Sequence, residues 1–378
     1  MVLSYFNKRK EVNIDMAKQF EDFFFCGKRL SEVLPNCISV DFDTNDEINL
    51  SLAREMTKGD TNRYKIEADY FYDEWSDTLS FELDIIKDTC KFDNQKEMEF
   101  AKEEIRKITR WLTSSHTPEW INFEYSAEYD NDGRNYCGWF NNIETFVVGG
   151  IVYGLKLSFK CTTPFAYTDT IEKTITVTKN YVVDMISNES DDLEDYVYPI
   201  LKIHPNSDGE IFIANTTDME VMKQGTLTLG SSGSYIDVLL DIIEAYAKKE
   251  GCTVEYTGTG AYNIQPMCDD TVIQFYFIDI YGNRTKYTGY YKITTKEYQI
   301  VQGGFMTIKV YKGLDVTIDT KRLLIYDSLN RMVAYDKLGI SDVDQMYWLR
   351  FINGNNTFLL YGDFNLNISY VEARKVGE

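Results

Sequence analysis

The sequence predicts a mainly β protein with one helix in its N-terminal half and an α+β block set into its C-terminal half. Three observations carry that reading. Tyr and Phe, which suit half-buried pleated surfaces, number 28 and 22, whereas Pro numbers only 6. Short stretches of alternating or compact apolar residues recur along the chain, separated by breaks rich in Asp, Asn, Gly and Ser. Only two stretches show the three-and-four spacing of an amphipathic helix.

In order, strands are expected at FEDFFFCGKRL (20–30), ISVDFD (38–43), EINLSLAREM (47–56), RYKIEADYFY (63–72) and LSFELDIIKD (79–88). A helix follows, with Asn94 as its cap and Glu97 completing a capping box. Met98, Ala101, Ile105, Ile108 and Leu112 form its apolar face, and Pro118 stops it near Ser114. WINFEYSAEY and CGWFNNIETFVV then form strands joined across the turn DNDG. IVYGLKLSFKC alternates, with Val152, Leu155, Leu157 and Phe159 on one side. IEKTITVTKNYVV (171–183) reads as a further strand and the acidic SNESDDLED (187–195) as a linker.

A second β-rich region starts at YPILKIHP (198–205) and EIFIANTT (210–217). A second helix interrupts it, capped by Ser234, with Leu239, Ile242, Ile243 and Tyr246 inward and Gly251 at its stop. Tyr-rich strands follow across 271–293, turning at YGNR. From about 305 the segments MTIKVY, LDVTI, RLLIYDS, NRMVAYD, TFLLYG and NISYVEA read as plain strands.

The net charge of −21 opposes a general nucleic-acid binder, which needs a basic face to displace counterions from phosphates. Seven scattered cysteines without a CxxC pair read as buried free thiols made in a reducing cytoplasm. The start MVLSYFNKRKEVN lacks a signal-peptide core, and no run reaches the roughly 18 apolar residues that span a bilayer. No membrane partner and no sequence-specific nucleic-acid partner is therefore expected.

Catalytic templates fail one by one. GTLTLGSS (225–232) has the glycines of a P-loop without its Lys. EYDNDGRNYCGW places Glu128, Asp130 and Asp132 like a calcium loop, but Trp139 stands where the bidentate Glu belongs. The only histidines, His116 and His204, have no local metal-ligand partners. Acidic pairs (Asp41/Asp43, Asp191/Asp192, Asp269/Asp270) are what a surface with 60 acids contains. The expectation is a protein that is not an enzyme, with no cofactor, no metal and no catalytic residue. Trp111, Trp120, Trp139 and Trp348 read as core or interface.

RWLTSSHTPEWINFEY (110–125) and GGIVYGLKLSFKCTTPFAYTDT follow the helix in a recognisable order. The WL pair is Trp111 and Leu112, and the later motif L-x-F-x-C-x-x-P-(F/Y)-A is matched by Leu157, Phe159, Cys161, Pro164, Phe165 and Ala166. With the opening FFFCGKRLSEV, this resembles the distal tail protein (Dit) family of long-tailed phages of Gram-positive hosts and of related tail-like particles. Residues 198–218 and 305–375 resemble that family's second domain, a galectin-like or carbohydrate-module-like β-sandwich.

The resemblance implies a ring-forming tail domain over 1–186, an acidic linker over 187–197, and a sandwich from 198–218 and 305–378. The block 219–304 departs from the pattern and reads as an inserted α+β domain. Trp111, Leu112, Trp120, Phe159 and Pro164 become structural anchors, with His116 in a loop or capping role. The implied protein is a distal tail or baseplate hub of the virion tail, made in the host cytoplasm. Its implied partners are copies of itself in a six-fold ring, the tail tube protein, a tail-tip protein, and receptor-binding proteins or cell-wall polysaccharide. An alternative is a host-glycan-binding adhesion protein acting through the sandwich and its insertion, with Tyr256, Tyr262, Tyr281, Tyr287, Tyr290 and Tyr291 as contacts, because Tyr faces stack on pyranose rings. A cell-wall hydrolase is a third reading without a supporting motif.

Overall fold

The computed structural model describes residues 20–40, 54–58, 70–75, 78–92, 94–125, 134–193, 195–229, 233–261, 268, 271–340 and 346–375. Residues 170–372 form one compact unit, and the described residues on either side form the other.

The first unit contains β1 (Phe20–Phe25), β2 (Lys28–Arg29), a one-turn helix α1 (Leu30–Val33), β3 (Cys37–Val40), β4 (Arg54–Lys58), β5 (Tyr70–Trp75) and β6 (Ser80–Lys87). Helix α2 (Lys102–Leu112) precedes β7 (Glu119–Tyr125), β8 (Asn135–Val148), β9 (Ile151–Cys161) and β10 (Phe165–Tyr167). The main sheet runs β2-β1-β7-β8-β9-β6-β3, while β4 and β5 pair with each other. Alternation sends Phe23, Phe25, Ile121, Phe123, Tyr136, Phe140, Leu155, Leu157 and Phe159 into one core.

Helix α2 closes that core, but it starts eight residues beyond Asn94. Residues Gln95–Met98 form a separate 3-10 turn, and Asn94 makes no cap bond. The break falls at Phe100, which is buried and whose N–H donates to Val152 O at 2.8 Å. Sheet bonding at Phe100 wins over continuing the helix, and Glu104 accepts from Ala101 N–H at 2.8 Å to cap the real start. Of the expected apolar face, Ile105, Ile108 and Leu112 pack inward. Trp111 locks the helix down: its Nε1–H donates to Phe25 O at 2.9 Å, and its ring stacks on Phe23 at 5.6 Å and 11°.

The second unit begins earlier than the expected boundary at 186. β11 (Ile171–Asn188) belongs to it, because all of it pairs with the last long strand of the unit. The segment read as a linker starts inside that strand, and Asn188 and Ser190 are buried. Asn188 Nδ2 donates to Ile352 O at 3.1 Å, so these polar residues tie loops together instead of separating domains.

The remaining strands are β12 (Ile200–Pro205), β13 (Gly209–Asn215), β14 (Glu220–Thr226), β15 (Thr253–Ala261) after helix α3 (Tyr235–Lys249), β16 (Thr271–Ile278), β17 (Arg284–Tyr291), β18 (Glu297–Gln302), β19 (Phe305–Val310), β20 (Val316–Asp319), β21 (Leu324–Asp327) and β22 (Gly354–Tyr370). A short β23 (Ala373–Lys375) pairs with β10 in the first unit. TFLLYG and NISYVEA, read as separate strands, are parts of β22 and its sequel. Gly362 resembles a break in sequence, but a bulge at Lys179 in β11 absorbs the irregularity. NRMVAYD forms no strand beyond a single bridge from Met332 to Tyr326, because Asp327 draws Arg331 into a tight turn.

The described strands of the sandwich form a seven-stranded sheet, β19-β13-β22-β12-β20-β21, with β11 along β22. One part of β22 pairs with β13 and the other with β12. Both flanks enclose one core that includes Leu201, Ile203, Ile211, Ile213, Ile308, Ile318, Phe364 and Leu366.

Residues 220–302 build a second sheet, β14-β18-β17-β16-β15. Helix α3 covers one face through Leu239, Ile243 and Ala247, which pack on Ile273, Phe275 and Phe277. Ser234 caps it as expected, accepting from Asp237 N–H at 3.2 Å, and Gly251 follows it at φ +74°. The other face meets the sandwich: Val272, Tyr290 and Val301 pack with Phe212, Phe305 and Leu359. Burial on both faces is why β16 reads TVIQFYFI without alternation.

The chain leaves and re-enters the sandwich at a tight crossing. Asn215 N–H donates to Gly304 O at 2.8 Å, and a Cβ on Gly304 would sit 2.4 Å from Met219 Cγ. Beside it, Asp218 accepts from Tyr347 Oη at 2.5 Å and from Arg350 Nε at 2.8 Å, while the guanidinium lies 3.8 Å from the Tyr196 ring centroid. These bonds fix the root of the 220–302 block.

Trp111→Ala removes a buried ring and its hydrogen bond, and should lower unfolding stability by about 3–5 kcal/mol in urea titration. Arg350→Met keeps the stem but leaves the Asp218 carboxylate without its cation and with only the Tyr347 donor described above, and should cost the second unit about 2–3 kcal/mol by the same measurement.

Candidate functional site

The described residues present no assembled catalytic centre. No group of three His, Cys, Asp or Glu side chains among them could hold a metal ion. His116 is exposed and makes no hydrogen bond among the described residues. Its loop is held by neighbours, with Ser115 Oγ donating to Glu119 Oε1 at 2.8 Å and Ser114 Oγ to Trp111 O at 2.8 Å. The loop role assigned to His116 therefore belongs to the serines. His204 pairs with Asp315, Nδ1 to Oδ1 at 2.6 Å, on an exposed strand face. The calcium-like residues Glu128, Asp130 and Asp132, the pairs Asp41/Asp43 and Asp269/Asp270, and Tyr262 lie outside the described residues.

The tyrosines proposed as contacts are not brought together on a surface. Tyr290 and Tyr291 are 7% and 3% exposed, on the sandwich side and the helix side of their sheet. Tyr290 Oη donates to Gln299 Oε1 at 2.5 Å. Tyr287 is half-buried, with its ring 4.7 Å from Phe277 and stacked on Phe275. Only Tyr256 and Tyr281 are exposed among the described members of the set. Burial, then Glu244 and Asp241, push the Tyr256 hydroxyl up to about 12. Tyr281 stands at the tip between β16 and β17, where Asp279 accepts from the N–H groups of Tyr281 and Asn283 at 2.8 Å each. A sheet covered on both faces has little room for a stacking platform.

Among the anchors, Trp111, Leu112 and Phe159 are buried, and Pro164 is half-buried. Trp120 is different. Ile121 and Phe123 take the inward positions of β7, so Trp120 faces out, with its ring edge-on to Tyr167 at 5.2 Å. Trp139 likewise faces out, while Trp348 packs half-buried against the sandwich core.

Among the described residues of the first unit, several exposed apolar side chains share one hairpin. β8 and β9 run past the last β6 partner, Ile86↔Gly154, and turn at Gly149 and Gly150 with φ of +61° and +86°. Both turn residues thus need positive φ, which two glycines supply. Phe146, Val147, Val148 and Ile151 at this end are 44%, 50%, 53% and 37% exposed. Together they form an exposed apolar cluster at the hairpin tip.

Residues 18–163 match the family model described as phage tail protein N-terminal domain. The match lies within the first unit. The match ends within two residues of β9, so the exposed hairpin lies inside it. Among solved structures, the chain is similar to the Dit protein of phage SPP1, described as a paradigm of hub adsorption apparatus in Gram-positive infecting phages. That likeness has 10% identity and a TM-score of 0.47, covering 93% of this chain and 98% of that one. The phage P2 baseplate in its activated conformation with Ca gives 8% identity and a TM-score of 0.36, covering 94% and 98%. Comparison with curated proteins gave no match.

The seven cysteines are all free, but they are not uniformly buried as expected: Cys161 and Cys268 are buried, Cys90 is exposed, and the others are half-buried. Burial pushes the Cys37 and Cys161 thiols up to about 12. Alkylation at neutral pH followed by peptide mass spectrometry should modify Cys90 first and leave Cys37 and Cys161 intact until denaturant is added.

Proposed function

We propose that the chain is a structural hub of a phage tail or tail-like particle, joining the tail tube to the tip and its adhesion proteins without catalysis. In this reading the first unit closes a ring with copies of itself, six by the family resemblance, and the second unit supports tip proteins. The observation that carries the reading is the exposed apolar β8–β9 hairpin within the domain matched by the phage-tail family. Phe24, Trp120 and Trp139, each about 40% exposed on the outer face of the same sheet (40%, 41% and 42%), add aromatic area of the kind that subunit interfaces bury.

The double variant Val147→Asp/Val148→Asp tests this. Both positions are exposed, so folding stability should change by less than about 0.5 kcal/mol. Light scattering coupled to size exclusion should show a multi-subunit wild-type particle and a variant shifted towards monomer. A variant that assembles like the wild type would remove the hairpin from the interface.

A further inference from the structure

The sheet of the 220–302 block ends on an open strand. β14 pairs with β18 along one side, and no strand among the described residues pairs with its other side. Gln224, Gly225 and Thr226 are exposed. Leu227 N–H donates to Lys296 O at 2.7 Å, in register with the β14–β18 ladder, so positions 227 and 225 bond inward. By alternation Gln224 and Thr226 turn their N–H and C=O groups to the open side. Edge strands are commonly guarded by charge, Pro or a bulge. The bulge here falls between Val221 and Lys223, ahead of the open stretch. Lys223, the nearest charge in the strand, lies over the Tyr246 ring at 5.2 Å, and the strand has no Pro.

Side chains on both faces present open hydrogen-bonding groups at this edge. On the sandwich side Tyr290, Gln299 and Gln224 are registered in one row. Tyr290 Oη donates to Gln299 Oε1 at 2.5 Å, and Gln299 Nε2 donates to Gln224 Oε1 at 3.5 Å. The row stops at the Gln224 Nε2 group, which has no acceptor among the described residues. On the helix side Gly225 is registered with Tyr298. A Cβ on Gly225 would sit 2.9 Å from the Tyr298 ring and 3.2 Å from its hydroxyl, so the phenol lies across bare backbone. That hydroxyl has no hydrogen-bond partner among the described residues. A cavity of about 390 Å³ opens beside the row, with Lys292 and Glu297 also in its lining.

These features fit one occupant. A strand added beside Gln224 bonds to it through both backbone groups and sets a side chain of its own alongside, about 5.5 Å away between Cα atoms. An amide at that position accepts from Gln224 Nε2 and continues the row, as Asn and Gln side chains do in ladders. A carboxylate there would add negative charge beside Glu297, one row along. The next residue of the added strand meets Gly225, where no side chain competes for the Tyr298 ring and hydroxyl. We propose that the open edge of β14 binds an extended segment of a partner protein by strand addition, with Asn or Gln opposite Gln224. The proposal is independent of the assembly reading.

The test uses the full chain and short synthetic peptides of alternating Thr and Val, with Lys at both ends for solubility and Gln, Asn, Ala or Asp at the centre. Fluorescence anisotropy should rank the Gln and Asn peptides above the Ala and Asp peptides by roughly tenfold or more. Gln224→Ala and Thr226→Pro should each weaken the best peptide by a similar factor, and Tyr281→Ala on the same block should leave it unchanged. Pro at 226 removes an N–H that faces the open side, so the ladder with β18 stays intact. Hydrogen exchange gives the readout specific to strand addition: bound peptide should slow exchange over 220–226. Binding of no peptide, equal binding of the Ala peptide, binding indifferent to both edge variants, or bound peptide without slowed exchange over 220–226 would overturn the proposal. Slow exchange there without peptide, growing with protein concentration, would give the edge to a second copy of the chain and overturn it as well.

Discussion

The pairing of β11 with β22 is the constraint on which the second unit depends. It runs from Ile171↔Tyr370 to Asn188↔Gly354, so the first and last long strands of the unit lie side by side. Once they are paired, everything between is a set of closed excursions from one seam. β12 and β13 attach along successive parts of β22, and the terminal β23 is left to pair with β10. An excursion as long as 220–302 adds only slowly growing loop-closure entropy, because that cost rises with the logarithm of length. The crossing at Asn215 and Gly304, with Asp218 held by Tyr347 and Arg350, fixes where that excursion leaves.

Aromatic residues play opposite parts in the two units. In the 220–302 block most of the described tyrosines close a sheet between α3 and the sandwich, and are unavailable to partners. In the first unit Trp111 and the Phe cluster do the packing, while Trp120, Trp139 and the hairpin apolar residues face out. Abundant aromatics thus support a folded core in one place and an exposed outer face in the other.

Much of this was legible in the sequence. The strand-rich character, the Ser234 cap, the Gly251 stop and the burial of Trp111 and Phe159 follow from local signals. The start of α2 was not, because Asn94 and Glu97 form a genuine capping pattern and the sheet bond that overrides it comes from Val152, far along the chain. The fate of Tyr290 and Tyr291 was hidden for a related reason: alternation tells which residues share a face but not what covers it. Neither was the row of polar residues across the sandwich sheet visible. Thr174, Lys202, Thr317, Tyr326 and Asn367 span nearly the whole second unit and meet only through register.

If the first unit assembles through its own exposed apolar strands, as proposed, electron cryomicroscopy of the purified full chain should show a closed ring. In that ring Phe146, Val147, Val148 and Ile151 should be buried against a neighbouring copy. A monomer at every concentration, or a ring whose contacts leave the β8–β9 tip in solvent, would contradict it.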